Sequence, residues 1–158
     1  MSRLLDVLAR TFAFLGGAVL VGITLMSVTS ITGRALLGKP VPGDFELVQL
    51  GSAVAIAAFL PYCQLRRGNI IVDFFTTRAS ARAQSVLDAL GALLFSAVMA
   101  LLAWRTTLGF MTVKASHEVT MIVGFPVWIG YAAIVPSLVL ATLVGLQTAI
   151  AYATAPRS

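Results

Sequence analysis

Apolar residues run along this chain in long unbroken blocks, not in alternation with polar ones. Asp, Glu, Lys and Arg are absent between Arg10 and Arg34, Glu46 and Arg66, Asp88 and Arg105, and Glu118 and Arg157. About 20 helical residues cross a hydrocarbon layer of about 30 Å. Backbone amides in lipid need partners within the spanning structure, which only helices or a closed barrel supply. Continuous runs without a two-residue period select helices. Spans are predicted at about 11–33, 45–65, 85–107 and 127–152. The fold class is therefore all-α: one polytopic membrane domain over 1–158, with four transmembrane helices.

Local signals refine each span. The first follows a short head with Arg3, Asp6 and Arg10, and it is too long for the apolar core of a signal peptide, so an uncleaved helix is expected. Ala13, Gly17, Ala18 and Gly22 offer small-residue pairs at four-residue spacing, which allow close helix contact. Two glycines and two prolines in Gly38-Lys39-Pro40-Val41-Pro42-Gly43 predict a tight loop. Asp44 and Glu46 then open the second helix, where negative charge complements the helix dipole. Pro61 is expected to kink or end that helix.

The third charge-free core has only 16 residues, so its span is extended from Ser85 to Thr107, with Asp88 in its first turns. The last interval has 38 residues, too many for one crossing. Its span is expected to begin behind Phe125-Pro126, with Trp128 and Tyr131 as interfacial anchors at one end and Tyr152 at the other. Val119 to Gly124 would form an interfacial lead-in, the alternative being a re-entrant hairpin over 119–135. Pro136 should bend this helix. Ala133, Ser137, Ala141, Gly145, Ala149 and Ala153 recur every four residues, a winding stripe of small side chains that calls for a close neighbour, in this chain or a partner.

Composition agrees with a membrane protein: 59% of the 158 residues are hydrophobic and 11% charged. The net charge of +5 could indicate nucleic acid, but no basic block with interleaved aromatics accompanies it, so no nucleic-acid partner is expected. Of the 11 basic residues, Arg3, Arg10, Arg66, Arg67, Arg78, Arg82 and Arg157 would share one side of a four-span topology. Arg34, Lys39, Arg105 and Lys114 would share the other. Positive residues gather in the cytoplasm, so both termini and the middle loop are expected inside.

The middle loop opens with Arg66 and Arg67, then Gly68-Asn69. Over about 69–77 a short interfacial helix is expected, with Ile70, Ile71, Phe74 and Phe75 on its apolar face. Asp73 would pair with Arg66, Arg67 or a backbone amide. On the opposite side, Arg105, Lys114, His117 and Glu118 are candidates for docking a soluble partner.

Catalytic chemistry is not visible. One cysteine and one histidine cannot build a multi-histidine metal site or ligate a pair of haems, and no nucleotide loop or Ser-His-Asp pattern occurs. No cofactor, no metal and no enzyme activity are expected. On the predicted spans no ionisable residue falls at mid-bilayer, whereas ion-coupled transporters usually bury such groups there. A small helical subunit that positions something else fits best.

Arg67-Gly68-Asn69-Ile70-Ile71-Val72-Asp73 resembles the signature after the second helix in the small permease subunit of tripartite ATP-independent periplasmic (TRAP) transporters. That signature usually reads Gly, one or two residues, then His-Ile-x-Val-Asp; here Asn69 stands where histidine is common. Glu46 leading the second helix, and Glu118 followed by Phe125-Pro126-Val127-Trp128, are similar to further features of the family.

The resemblance implies a large permease subunit as partner, carrying the sodium and substrate sites. It also implies a periplasmic binding protein that delivers an organic acid, and a multi-pass place among the lipids of a bacterial or archaeal cytoplasmic membrane. The small subunit would be a non-catalytic scaffold for the large one. The alternatives are the small subunit of another tripartite carboxylate uptake system and the membrane anchor of a redox enzyme complex.

Overall fold

The computed structural model describes residues 3–66 and 81–154. The elements are α1 (Arg3–Leu37), α2 (Asp44–Leu65), α3 (Ala81–Ala115) and α4 (Trp128–Thr154). All four are long and apolar enough to cross a membrane. No strand occurs among the described residues beyond one antiparallel bridge, Val119 with Pro126. The expected interfacial helix at about 69–77 lies outside the described residues.

The helices pack as a row. α2 lies against α1 on one side and α4 on the other, and α4 lies against α3. α1 only brushes α4, and α3 touches neither α1 nor α2. The connections α1–α2 and α3–α4 meet at one end of the row, here called the hairpin end; the other is the terminal end. An open row leaves broad apolar faces uncovered: Phe14, Leu25 and Ile31 on α1, and Leu94, Trp104 and Met111 on α3, are more than half exposed. In water this would be untenable; in lipid it is a solvent-matched surface.

Small residues set the spacing between neighbours. A Cβ built on Gly16 would meet Ala58 Cβ at 2.9 Å, so α1 approaches α2 almost backbone to backbone. Gly16 therefore makes the contact expected of Gly17 and Gly22, beside which no atom lies within 4 Å of an added Cβ. A spacing of four residues winds around the helix, and only structure selects which register meets the neighbour. Several hydroxyls in the apolar segments are satisfied within their own helices: Thr24 donates to the Leu20 carbonyl at 2.7 Å and Thr142 to Leu138 at 2.9 Å. Such back-bonding lets polar side chains sit at lipid depth without an orphaned donor.

α2 continues four residues past Pro61, which is buried, and α4 runs on through Pro136. Tyr152, expected at the headgroups, is 7% exposed and packs with Ala92 and Ala149 between α3 and α4. α1 and α3 outrun their predicted membrane spans at both ends, while α2 and α4 keep theirs to within two residues. The excess matters most in α3, where the span was ended at Thr107 but the helix reaches Ala115.

Candidate functional site

The first turn of α2 organises the hairpin end. Gly43 precedes it with φ of 71°, in the left-handed region that favours glycine, and a Cβ there would fall inside the Val123 side chain. Asp44 accepts hydrogen bonds from Ser30 Oγ at 2.5 Å and from the Phe45 N–H at 2.8 Å. Arg34 stands 3.9 Å from the same carboxylate. Ser30 is 1% exposed and also accepts the Val41 N–H at 3.2 Å, so one hydroxyl joins the end of α1, the connecting loop and the start of α2.

Glu46 reaches the other way. Its Oε1 accepts the Ile122 N–H at 3.0 Å, and its Oε2 the Val123 N–H at 3.4 Å. The Thr120 hydroxyl and Met121 N–H also help to hold its charge. Consecutive backbone N–H groups converging on one anion form a nest. Asp44 and Glu46 are thus more than dipole partners: one fastens α1 to α2, and the other fastens α2 to the α3–α4 connection.

That connection is ordered by its own bonds. α3 ends in a Schellman arrangement, with the Glu118 N–H donating to the Val113 carbonyl at 3.3 Å and the His117 N–H to Lys114 at 3.4 Å. His117 holds the left-handed position at φ 50°, which makes it a helix terminator. The Thr120 N–H donates to Phe125 at 2.9 Å and the Val127 N–H to Glu118 at 3.1 Å, closing a small hairpin before α4. Its tip is apolar and open, Met121 being 99% exposed. Pro126 and Trp128 follow. Trp128 meets Phe110 edge-on at 6.4 Å between ring centres, and Lys114 Nζ lies 5.6 Å and 5.7 Å from these two rings. A cation between two aromatic faces is favourably held.

The α4 stripe also finds its neighbour. A Cβ on Gly145 would stand 3.0 Å from Ser96 Cβ and 3.1 Å from Phe95 Cδ1, and Ser96 Oγ donates to the Thr142 carbonyl at 2.9 Å. Ser137, Ala141, Gly145 and Ala149 are buried, Ala133 is half-buried and Ala153 is exposed. Where Gly145 and Ala149 lie, the neighbour is α3 of this chain.

The remaining candidates are spread out. Lys114, His117 and Glu118 stand together at the hairpin end, with exposed side chains. Arg105 does not join them: it was expected in the outer loop but lies within α3, ten residues before its end. Arg66, at the terminal end, donates from Nε to the Tyr62 hydroxyl at 3.2 Å and covers that ring at 5.3 Å. Arg67, Gly68, Asn69 and Asp73 lie outside the described residues. Gly43 is marked in the sequence only as part of a tight loop, and Ser30 not at all, since the partners of both come from loop closure.

A family model described as "Tripartite ATP-independent periplasmic transporters, DctQ component" matches residues 23–154. No curated protein and no solved structure matches the chain.

Proposed function

We propose, from the premise that this chain belongs to the DctQ component family of tripartite ATP-independent periplasmic transporters, that it is the static scaffold of such a transporter. It is a multi-pass membrane protein and the small membrane subunit of the system. In our reading it performs no catalysis. A larger permease subunit carries substrate and sodium, and a periplasmic binding protein delivers an organic acid to it. The chain sits in the cytoplasmic membrane with both ends and the Arg66–Arg67 pair inside, in accordance with the seven-to-four division of its basic residues.

The observation that carries this reading is the family match running from within α1 to the end of α4. It also favours this system over another tripartite carboxylate importer. The open row supports it physically, because a four-helix slab with uncovered apolar faces widens a larger protein without enclosing a site of its own. Co-purification in mild detergent tests it: the tagged chain should bring down the large permease in stoichiometric yield. Deleting the chain should abolish sodium-dependent uptake while the other two components still accumulate. Undiminished uptake would refute the scaffold role.

A further inference from the structure

Arg105 stands inside the apolar stretch of α3, a helix long and apolar enough to cross a membrane. Apart from Arg105 itself, α3 carries no Asp, Glu, Lys or Arg between Asp88 and Lys114, and Lys114 lies between the Phe110 and Trp128 rings at the hairpin end. Arg105 is nine residues from Lys114 and seventeen from Asp88, or about 14 Å and about 26 Å along the helix. Its Cα thus stands about 6 Å from the midpoint, well inside a hydrocarbon layer about 30 Å thick.

Packing gives the same depth independently. α3 and α4 are antiparallel, with Gly109 against the Tyr131 ring and Ser96 bonded to Thr142, so Arg105 lies level with the stretch near Val135. That is seven residues, or about 10 Å, inside Trp128.

No residue of the described chain neutralises it. Arg105 is exposed and makes no hydrogen bond, ion pair or ring contact among the described residues. Around it the same face of α3 is apolar and open: Val98 is 44% exposed, Leu101 53% and Leu108 42%. An arginine at this depth needs an acceptor. Lipid phosphate is poorly placed to be that acceptor. Cα–Cβ bonds tilt toward the helix N-terminus, which for α3 directs the side chain away from the nearer headgroups and toward the midplane. A second copy of this chain also fails, because the acidic residues of the described segments (Asp6, Asp44, Glu46, Asp88 and Glu118) all lie near helix ends or in loops.

We infer that the Val98–Leu101–Arg105–Leu108 face of α3 is the seam with the large permease subunit. There Arg105 meets a carboxylate carried at this depth by one of the partner's transmembrane helices. The inference rests on the reading that a large permease subunit is the partner, and it adds which helix meets it and through what chemistry.

The test uses full-length chain co-expressed with the other transporter components, with a photo-crosslinking benzoylphenylalanine at Leu101 or Leu108. Illumination should yield an adduct with the large subunit. Arg105→Leu and Arg105→Asp should lower that adduct and the co-purified yield at least tenfold, while Arg105→Lys keeps most of both. Because Arg105→Leu removes a charge from lipid depth, the variant chain alone should accumulate and melt as the parent does, which separates lost assembly from lost folding.

Lipid adducts alone at both positions, with the large subunit still co-purifying from the Arg105→Leu variant, would overturn the seam and leave the scaffold reading standing. Absence of the large subunit from every preparation, the parent included, would overturn both.

Discussion

Glu46 holds the Ile122 and Val123 N–H groups, so exchange of those two amides reports directly on one carboxylate. In Glu46→Ala they should exchange markedly faster. The Thr120 amide, bonded to the Phe125 carbonyl within the hairpin, should stay slow. Hydrogen–deuterium exchange of the detergent-solubilised chain makes the comparison, and equal protection of Ile122 in both proteins would rule the staple out. A negative charge opening a helix is legible as a dipole partner, and Glu46 does stand in the first turn of α2. What the sequence did not disclose is the partner, a backbone nest 76 residues away that exists only once the α3–α4 connection has folded against the start of α2. Gly43 is similar: a glycine in a Gly-Pro loop looks like simple punctuation until Val123 is seen to occupy the place of its missing side chain.

Periodicity located the elements well because lipid leaves few alternatives to a helix. It told less about which face of each helix matters. The four-residue stripe of α4 required a close neighbour, and α3 supplies it at Gly145 and Ala149. The small residues of α1 looked equivalent by spacing, yet Gly16 contacts α2 and Gly22 faces open space. These two outcomes separate in one experiment on the isolated chain. Gly145→Leu forces new methylenes against Ser96 and Phe95 and should destabilise the α3–α4 pair by about 1–3 kcal/mol, the usual range for overpacking a filled seam. Gly22→Leu should leave the melting temperature in detergent within error of the parent. Equal melting of the Gly145→Leu chain would place the stripe against lipid.

The whole molecule was legible as four helices and as a family, while its arrangement was not. Nothing in a single sequence states that α4 stands between α2 and α3, because every helix here is apolar on most of its circumference and solvent polarity cannot sort its faces. Arg105 shows the same limit along the membrane normal: from a 16-residue charge-free core the span is predicted to end at Thr107, two residues past Arg105, yet the helix continues to Ala115.

The row itself is testable by cysteine pairs in a Cys63→Ser background. Disulfides need Cβ atoms about 3.5–4.5 Å apart. Gly16→Cys with Ala58→Cys should oxidise across α1–α2, as should Gly145→Cys with Ser96→Cys across α3–α4, since their Cβ positions lie 2.9 Å and 3.0 Å apart and a small separation of the helices brings each pair into that range. Phe14→Cys with Leu94→Cys joins α1 to α3, which make no contact, and should remain reduced in the monomer at any mild oxidant concentration. A four-helix bundle closed on itself would bring α1 beside α3 and bridge such a pair, whereas the row holds α2 and α4 between them. Oxidation of the α1–α3 pair at the rate of the other two would therefore replace the row with a closed bundle. It would also remove the uncovered α3 face on which the Arg105 seam depends.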